Sequence, residues 1–362
     1  MSWPGAPHGG VRRSRLVGAG TLLLALALLA SGCGSMGYYA QSVGGHLELM
    51  RRARPVPAWL ADDRTPEALR ARLQLAQRLR DFAVSELALP DNASYRRYVD
   101  LGRASVVWNV VATPELSLTL QTWCFPVMGC VGYRGYFDQA DAEGLGTQLR
   151  AQGLEVSVYG VPAYSTLGWT NWLGGDPLLS TFIQWPEADL ARLIFHELAH
   201  QVAYAADDTQ FNESYATAVE RLGAARWQAL SGRPGEDAAV AKRRADFKAL
   251  SLRTRARLEA LYASSLGDAD KRRGKLAAMA AMQAEYADLK ANAWGGFAGY
   301  DGWMARVNNA SLAVQAAYDG LVPEFERLFE RQGRDFSRFH AEVQRLAALS
   351  KDERRARLQA SR

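Results

Sequence analysis

The sequence predicts an α+β fold, mostly α-helical, with a small mixed sheet and a long antiparallel helical hairpin. Three observations predict it. Leu69, Leu73, Ala76, Leu79, Ala83 and Leu87 recur at helical spacing and line one face of a helix. Residues 103–159 carry β-branched and aromatic runs bounded by Gly and Pro, which read as short strands. Residues 238–291 are rich in Ala, Leu, Arg and Lys and are split at Leu266-Gly-Asp268, which reads as two long helices folded back on each other. A hydrophobic share of 48% is enough for a buried core.

Taken in order, residues 37–54 read as a helix weakened by Gly44-Gly45 and stopped by Pro55 and Pro57. A second helix spans 68–87, opened by Thr65-Pro66-Glu67 and closed by Leu89-Pro-Asp-Asn92. Strands are expected at 103–112 and 116–123, with a short third within 130–136. A helix over 138–152 and a strand over 154–159 follow. Residues 163–180 form a loop rich in Gly, Asn and aromatics, read equally as core packing or as one wall of a cleft. The next helix should run from Glu187 to about Ala206, and another should start at Glu213 with Asn212 as its cap. Residues 223–237, which contain Gly-Arg-Pro-Gly, read as a break. After the hairpin and a Gly-aromatic loop (292–303), helices are expected at 308–318, 323–330 and from Ser337 into a basic tail. The expected divisions are 1–32, 33–222, 223–291 and 292–362.

The first 32 residues hold Arg12, Arg13 and Arg15, no acid, and a mostly apolar run from Leu16 to Ala30. That is a secretory signal, too short for a membrane span. It ends at Leu29-Ala-Ser-Gly-Cys33. Small residues before a Cys resemble the bacterial lipobox, with Ala30 where Leu is usual. The resemblance implies diacylation of Cys33 and a lipid anchor in the membrane. Gly34, being non-acidic, points to the outer membrane facing the periplasm. An ordinary signal peptide cut nearby is the alternative. Removing the three signal charges from the net +5 leaves about +2, too little to argue for nucleic acid. Lipidation of Cys33 leaves Cys124 and Cys130, separated by Pro126 and Gly129, a pair able to close a disulfide in an oxidising compartment.

The chemistry-bearing stretch is His196-Glu-Leu-Ala-His200. Two His four apart share a helix face, so both imidazoles reach one metal ion, and Glu197 lies beside that face. This is the H-E-x-x-H arrangement of zinc metallopeptidases. A catalytic zinc takes three protein ligands and an open position. Glu213, thirteen residues past His200, is the expected third ligand, with Glu220 its rival on the same face. Glu197 is the expected general base. Tyr215, Tyr300 and Tyr318 are candidate donors to the oxyanion, and no spacing chooses among them. Asp207, Asp208 and Glu220 are candidate anchors for a substrate amine.

Asn212-Glu213-Ser-Tyr-Ala-Thr217 resembles the Asn-Glu-x-x-Ser-Asp signature of gluzincin peptidases. The resemblance implies a zincin-like core, although Thr217 replaces their Asp and the gap to His200 is shorter. Most of the mature chain resembles a family of bacterial lipoproteins described as predicted aminopeptidases. The marks are Trp108-Asn-Val-Val-Ala112, Cys124-Phe-Pro-Val-Met-Gly-Cys130, Tyr133-Arg-Gly-Tyr-Phe137, Tyr164-Ser-Thr-Leu-Gly-Trp169, Asp176-Pro177, His196-Glu-Leu-Ala-His-Gln201, Phe211-Asn-Glu213, Asn308-Asn-Ala310 and Val322-Pro323. The resemblance implies one Zn2+, a peptide substrate and a lipid-anchored peptidase, expected to be an aminopeptidase. The Gly-x-Met-Glu-Asn motif of well-known aminopeptidases is absent. An envelope endopeptidase, or a non-catalytic lipoprotein that binds a partner through its helical hairpin, are the competing expectations. No stretch identifies a protein partner.

Overall fold

The computed structural model describes residues 37–125, 129–163, 166, 174–206, 208–232 and 238–359. The chain divides into two units, Met1–Glu48 and Leu49–Arg362. In the first, the described residues 37–48 are helical, Gly44 and Gly45 included. Cys33 and the expected signal segment lie outside the described residues. No described helix is long and apolar enough to cross a membrane.

The second unit is α+β and mostly helical. It begins with strand β1 (Arg54–Pro55), helix α1 (Glu67–Ser85), and strands β2 (Arg97–Val99) and β3 (Val107–Pro114). β4 (Trp123–Phe125) and β5 (Gly129–Val131) form a hairpin in which Cys124 and Cys130 are opposed and disulfide-bonded. β6 (Arg134–Tyr136), α2 (Gln139–Ala151), β7 (Leu154–Val161) and β8 (Leu178–Leu179) follow. Asp138 caps α2 by accepting from Ala140 and Asp141 backbone N–H groups. β3 is the centre of an antiparallel sheet, ordered β6-β3-β7, with Asn109 opposite Tyr159. β1, β2 and β8 form a second small sheet.

The strand expected over 116–123 does not form; only Trp123 enters a ladder. Its alternating Leu residues serve another purpose. Leu118 is buried and Leu120 half-buried in a cluster with residues of the helical hairpin. Alternation alone does not show whether the buried face meets a strand or a helix.

The remaining helices are α3 (Glu187–Ala199), α4 (Thr209–Ser231), α5 (Ala238–Ala263), α6 (Asp268–Asp288), α7 (Asn309–Asp319), α8 (Val322–Arg331), α9 (Phe336–Ala347) and α10 (Lys351–Gln359). α4 passes straight through Gly223, where a break was expected. A Cβ there would meet Leu87 Cδ1 at 2.7 Å and Phe195 Cδ2 at 2.9 Å, so this glycine permits close packing inside the helix. α5 and α6 form the hairpin: Arg253 bonds Glu285, and Gly274 lies against Leu261. The hairpin is tied to the sheet region by Arg272, which donates to both oxygens of Glu115.

The main core joins α1, β2, α3, α4, α8 and α9 around Leu79, Phe195, Leu198, Tyr215, Phe325 and Phe339. α3 and α4 are central to it, and they carry the site.

Candidate metal centre

α3 follows from its sequence. Pro186 precedes it with φ −48°, and Glu187 and Asp189 occupy the first turn, near the positive end of the helix dipole. Leu190, Ala191, Ile194, Phe195, Leu198 and Ala199 form its buried side. The helix ends at Ala199 with His200 as its C-cap, shorter than the expected run to Ala206. The chain then turns, and the side chain of Asn212 holds that turn. Asn212 Oδ1 accepts from Ala205 N–H at 2.8 Å, and its Nδ2 donates to Ala205 C=O at 2.9 Å. Asn212 is therefore inside α4 and bonds backwards. The cap is Asp208, which accepts from Phe211 N–H at 3.2 Å.

This return brings α4 alongside α3 and places Glu213 against both histidines. His196 Nε2 lies 3.2 Å from His200 Nε2 and 3.3 Å from Glu213 Oε2. His200 Nε2 lies 3.7 Å from the same carboxylate oxygen. Donor atoms about 2.0–2.1 Å from a tetrahedral zinc sit about 3.3 Å from one another. The three atoms thus have the spacing and chemistry of a ligand set for one small divalent cation. Among the described residues no other group of three His, Cys, Asp or Glu converges in this way.

Glu220, the rival ligand, takes a different place. Its Oε2 lies 3.1 Å from His196 Nδ1, on the far side of the ring from the triad. A carboxylate there orients the imidazole and raises its basicity. Glu213 and Glu220 are seven apart, two turns of α4, so one helix supplies both.

The electrostatics fit a site built for positive charge. Burial pushes His196 down, but hydrogen bonds to Glu213 and Glu220 outweigh it and leave its pKa well above the ordinary value. Burial pushes Glu213 up, but His200 and His196 overcome it and hold its carboxyl well below the usual range. Burial raises Glu197, against the pull of His196 and His200. Glu197 accepts no hydrogen bond from any described residue, which leaves its carboxylate available to a water or substrate.

The expected oxyanion donors are not gathered here. Tyr215 is fully buried and its hydroxyl donates to His340 Nδ1 at 2.8 Å, so that hydroxyl is committed to the core. Tyr300 stacks on Phe247 at 3.9 Å, in the second cluster beneath the hairpin. The side chain of Tyr318 lies outside the described residues. Of the expected amine anchors, Asp208 is paired with Arg354 and Arg355, Glu220 serves His196, and Asp207 lies outside the described residues. One residue not singled out from the sequence is close enough to feel the triad. Tyr159 on β7 is hydrogen-bonded to Asn109, and burial together with the Glu213 charge raises its pKa. Only its place in a predicted strand was legible beforehand.

Of the 163–180 stretch, the described Thr166 and Asp176 are tied to the C-terminal end of α3. Asp176 is buried and accepts from Thr166 N–H at 3.1 Å and Thr166 Oγ1 at 2.8 Å. Its own N–H donates to Ser94 Oγ, which also accepts from Gln201 Nε2. Gln201 directly follows His200, so this chain of bonds joins Thr166 and Asp176 to the end of the site. Gly175 has φ +65° and a Cβ there would meet Ser94 N at 2.4 Å, so the close approach requires glycine.

Neither a curated protein nor a solved structure matches the chain. A family model does, over residues 37–358, and the chain belongs to that family, described as "Putative aminopeptidase".

Proposed function

We propose that the protein is a zinc-dependent peptidase, with His196, His200 and Glu213 holding one zinc ion and Glu197 acting as general base. Family membership supports a peptidase role and a peptide substrate. The convergence of three ligand atoms within 4.8 Å of one another carries the metal reading. A zinc ion bound there supplies Lewis acidity toward a water molecule and a peptide carbonyl. The residues of the chain do the rest. Glu220 holds His196 by Nδ1, which leaves Nε2 facing the triad. Glu197, with its carboxyl raised by burial, takes the proton of the attacking water and passes it to the leaving amine. Tyr159, steadied by Asn109 and within reach of the Glu213 charge, is the hydroxyl we assign to support the developing oxyanion.

We further propose export by the signal at 1–32, lipidation of Cys33, and an outer-membrane location facing the periplasm. The Cys124–Cys130 disulfide supports an oxidising compartment. Incorporation of labelled palmitate that is lost in Cys33→Ser tests the anchor.

Aminopeptidase action is the reading we adopt from the family. Endopeptidase action is the second, because Asp208 and Glu220 are both engaged elsewhere and neither is free to hold a substrate amine. Paired peptides with free and acetylated N-termini separate the two. An aminopeptidase cleaves only the free peptide. Equal cleavage of both peptides establishes the endopeptidase. No cleavage of either by zinc-loaded protein contradicts peptidase action on such substrates.

A further inference from the structure

The C-terminal segment reads in the sequence as a solvated basic tail. In the fold it is α10, and two of its arginines are turned inward. The Arg354 side chain is 5% exposed and Asp208 only 1%. Arg354 Nη1 donates to Asp208 Oδ2 at 2.7 Å, across 146 residues of sequence. Arg355 Nη2 donates to Asp208 Oδ1, its Nε to Asp208 Oδ2 at 3.3 Å, and its Nη1 to Gln210 Oε1 at 2.7 Å. The Arg354 guanidinium also lies over the Phe211 ring, 5.1 Å from its centroid, and bonds the carbonyls of Leu346, Ala347 and Leu349. Every one of these partners near the site belongs to Asp208-Thr-Gln-Phe211, the entry to α4, directly before Asn212 and Glu213.

We propose that α10 is a positioning element of the metal triad: Arg354 and Arg355, through Asp208 and Gln210, fix the entry of α4 so that Glu213 meets His196 and His200. This role rests on the reading of the triad as a cation site. The reason is mechanical. The described residues 200–206 form no helix or strand; Gln201 and Val202 are tied to distant residues and Ala205 to Asn212, but irregular chain between helices opens more readily than the helices themselves. Asp208 already caps α4 through Phe211 N–H, and a cap alone fixes the helix end only locally. The two guanidiniums add ties to a distant helix, and a buried carboxylate held by two charges resists displacement because breaking the pairs strands charge in the interior. Burial pushes the Asp208 carboxyl up, but the Arg355 and Arg354 bonds outweigh it, so the carboxylate stays ionised and the clasp stays closed.

The test is zinc binding by the full chain, read by competition with a chromophoric chelator, alongside the visible absorption of the Co2+-substituted protein. Arg355→Ala removes a side chain that is 20% exposed. It should weaken zinc binding about tenfold, as loss of a residue supporting a ligand does, and should alter the Co2+ absorption. Arg355→Lys should recover part of the affinity. Asp208→Asn keeps an oxygen for the cap but loses the charge, and should weaken binding at least as much. Arg334→Ala, which breaks only the exposed pair with Glu330, should bind zinc as the parent does. Folded Arg355→Ala and Asp208→Asn proteins with parental affinity and parental Co2+ absorption overturn the positioning role while leaving the metal site intact. If those variants do not fold, Gln210→Ala, which removes one bond to Arg355, decides in the same way. A parent chain that binds no ion removes the cation site itself, and the clasp with it.

Discussion

Two pairs of packed helices in this molecule differ in what they bury. In the hairpin of α5 and α6, the buried residues include no acid, base or histidine: Phe247, Leu250, Leu258, Ala278, Met282 and Tyr286 are joined only by Ser251 and Thr254, whose hydroxyls donate to carbonyls of their own helix. Its charges pair along the surface, as in Lys242–Asp246 and Arg255–Glu259. Such exposed pairs contribute only about 0.3–0.5 kcal/mol each. In α3 and α4 the charged groups turn toward each other. His196, His200, Glu213 and Glu220 lie between the helices, with side-chain exposures of 14%, 8%, 15% and 25%. Desolvating four ionisable groups is costly, and hydrophobic packing alone would have been more stabilising. A hairpin can be built without that cost. The comparison teaches that α5 and α6 pack as scaffold, while the buried ionisable groups gathered between α3 and α4 mark the place where we propose chemistry.

Exchanging single residues between the two behaviours sharpens the contrast. The largest effect is expected at Glu197. Glu197→Gln keeps the shape and leaves the ligand atoms in place, so zinc content should not change. Peptide turnover by the zinc-loaded protein should fall about 10²–10⁴-fold, the range of a lost general base. A variant with parental turnover breaks the assignment of Glu197.

Packing comes next. Ile194 on α3 is fully buried, and Ile194→Ala should lower the unfolding free energy by about 2–5 kcal/mol. Chemical denaturation of the Glu213-intact chain reads it directly. At the other extreme, Leu276 on α6 is 70% exposed, and Leu276→Ala should stay within about 0.5 kcal/mol of the parent.

A pH effect of intermediate size comes from behind the site. His340 is buried, accepts from Tyr215 at Nδ1, and donates from Nε2 to the Leu87 carbonyl at 2.8 Å. Burial pushes its pKa down from 6.5 to about 4. The imidazole is neutral in both folded and unfolded chains above about pH 6.5. As pH falls from there toward 4, the unfolded chain takes up the proton and the folded chain does not. Stability is therefore lost across that window, by about 3 kcal/mol from this group. The total loss of unfolding free energy between about pH 6.5 and 4 should be smaller in His340→Asn by about that amount. An unchanged loss would place the titration elsewhere.

Part of this contrast was legible in the sequence. The H-E-x-x-H spacing and the thirteen-residue return to Glu213 depend on helix geometry and one turn, so His196, His200 and Glu213 could be placed together before the fold was known. Other features could not, because they depend on what a residue meets far along the chain. Gly223 looks like a helix breaker, but it is a packing position against Leu87 and Phe195. Leu118 and Leu120 alternate like a strand but feed the hairpin's cluster. Glu220 and Glu213 share a face, and only the position of the His196 ring separates ligand from support. Tyr215 looked available, yet its hydroxyl is taken by a histidine 125 residues away. The inward arginines of α10 follow no local pattern, since α10 is the most polar of the amphipathic helices by sequence and its partner Asp208 lies far upstream.

The account stands on one cation held between α3 and α4. Elemental analysis of the purified full chain tests it most directly, with Glu213→Ala and Glu197→Gln measured beside it. The expected result is about one zinc per parent chain, loss of that zinc in Glu213→Ala, and full retention in Glu197→Gln. Zinc content that is unchanged by Glu213→Ala, or absent from a folded parent supplied with the ion, would contradict the account.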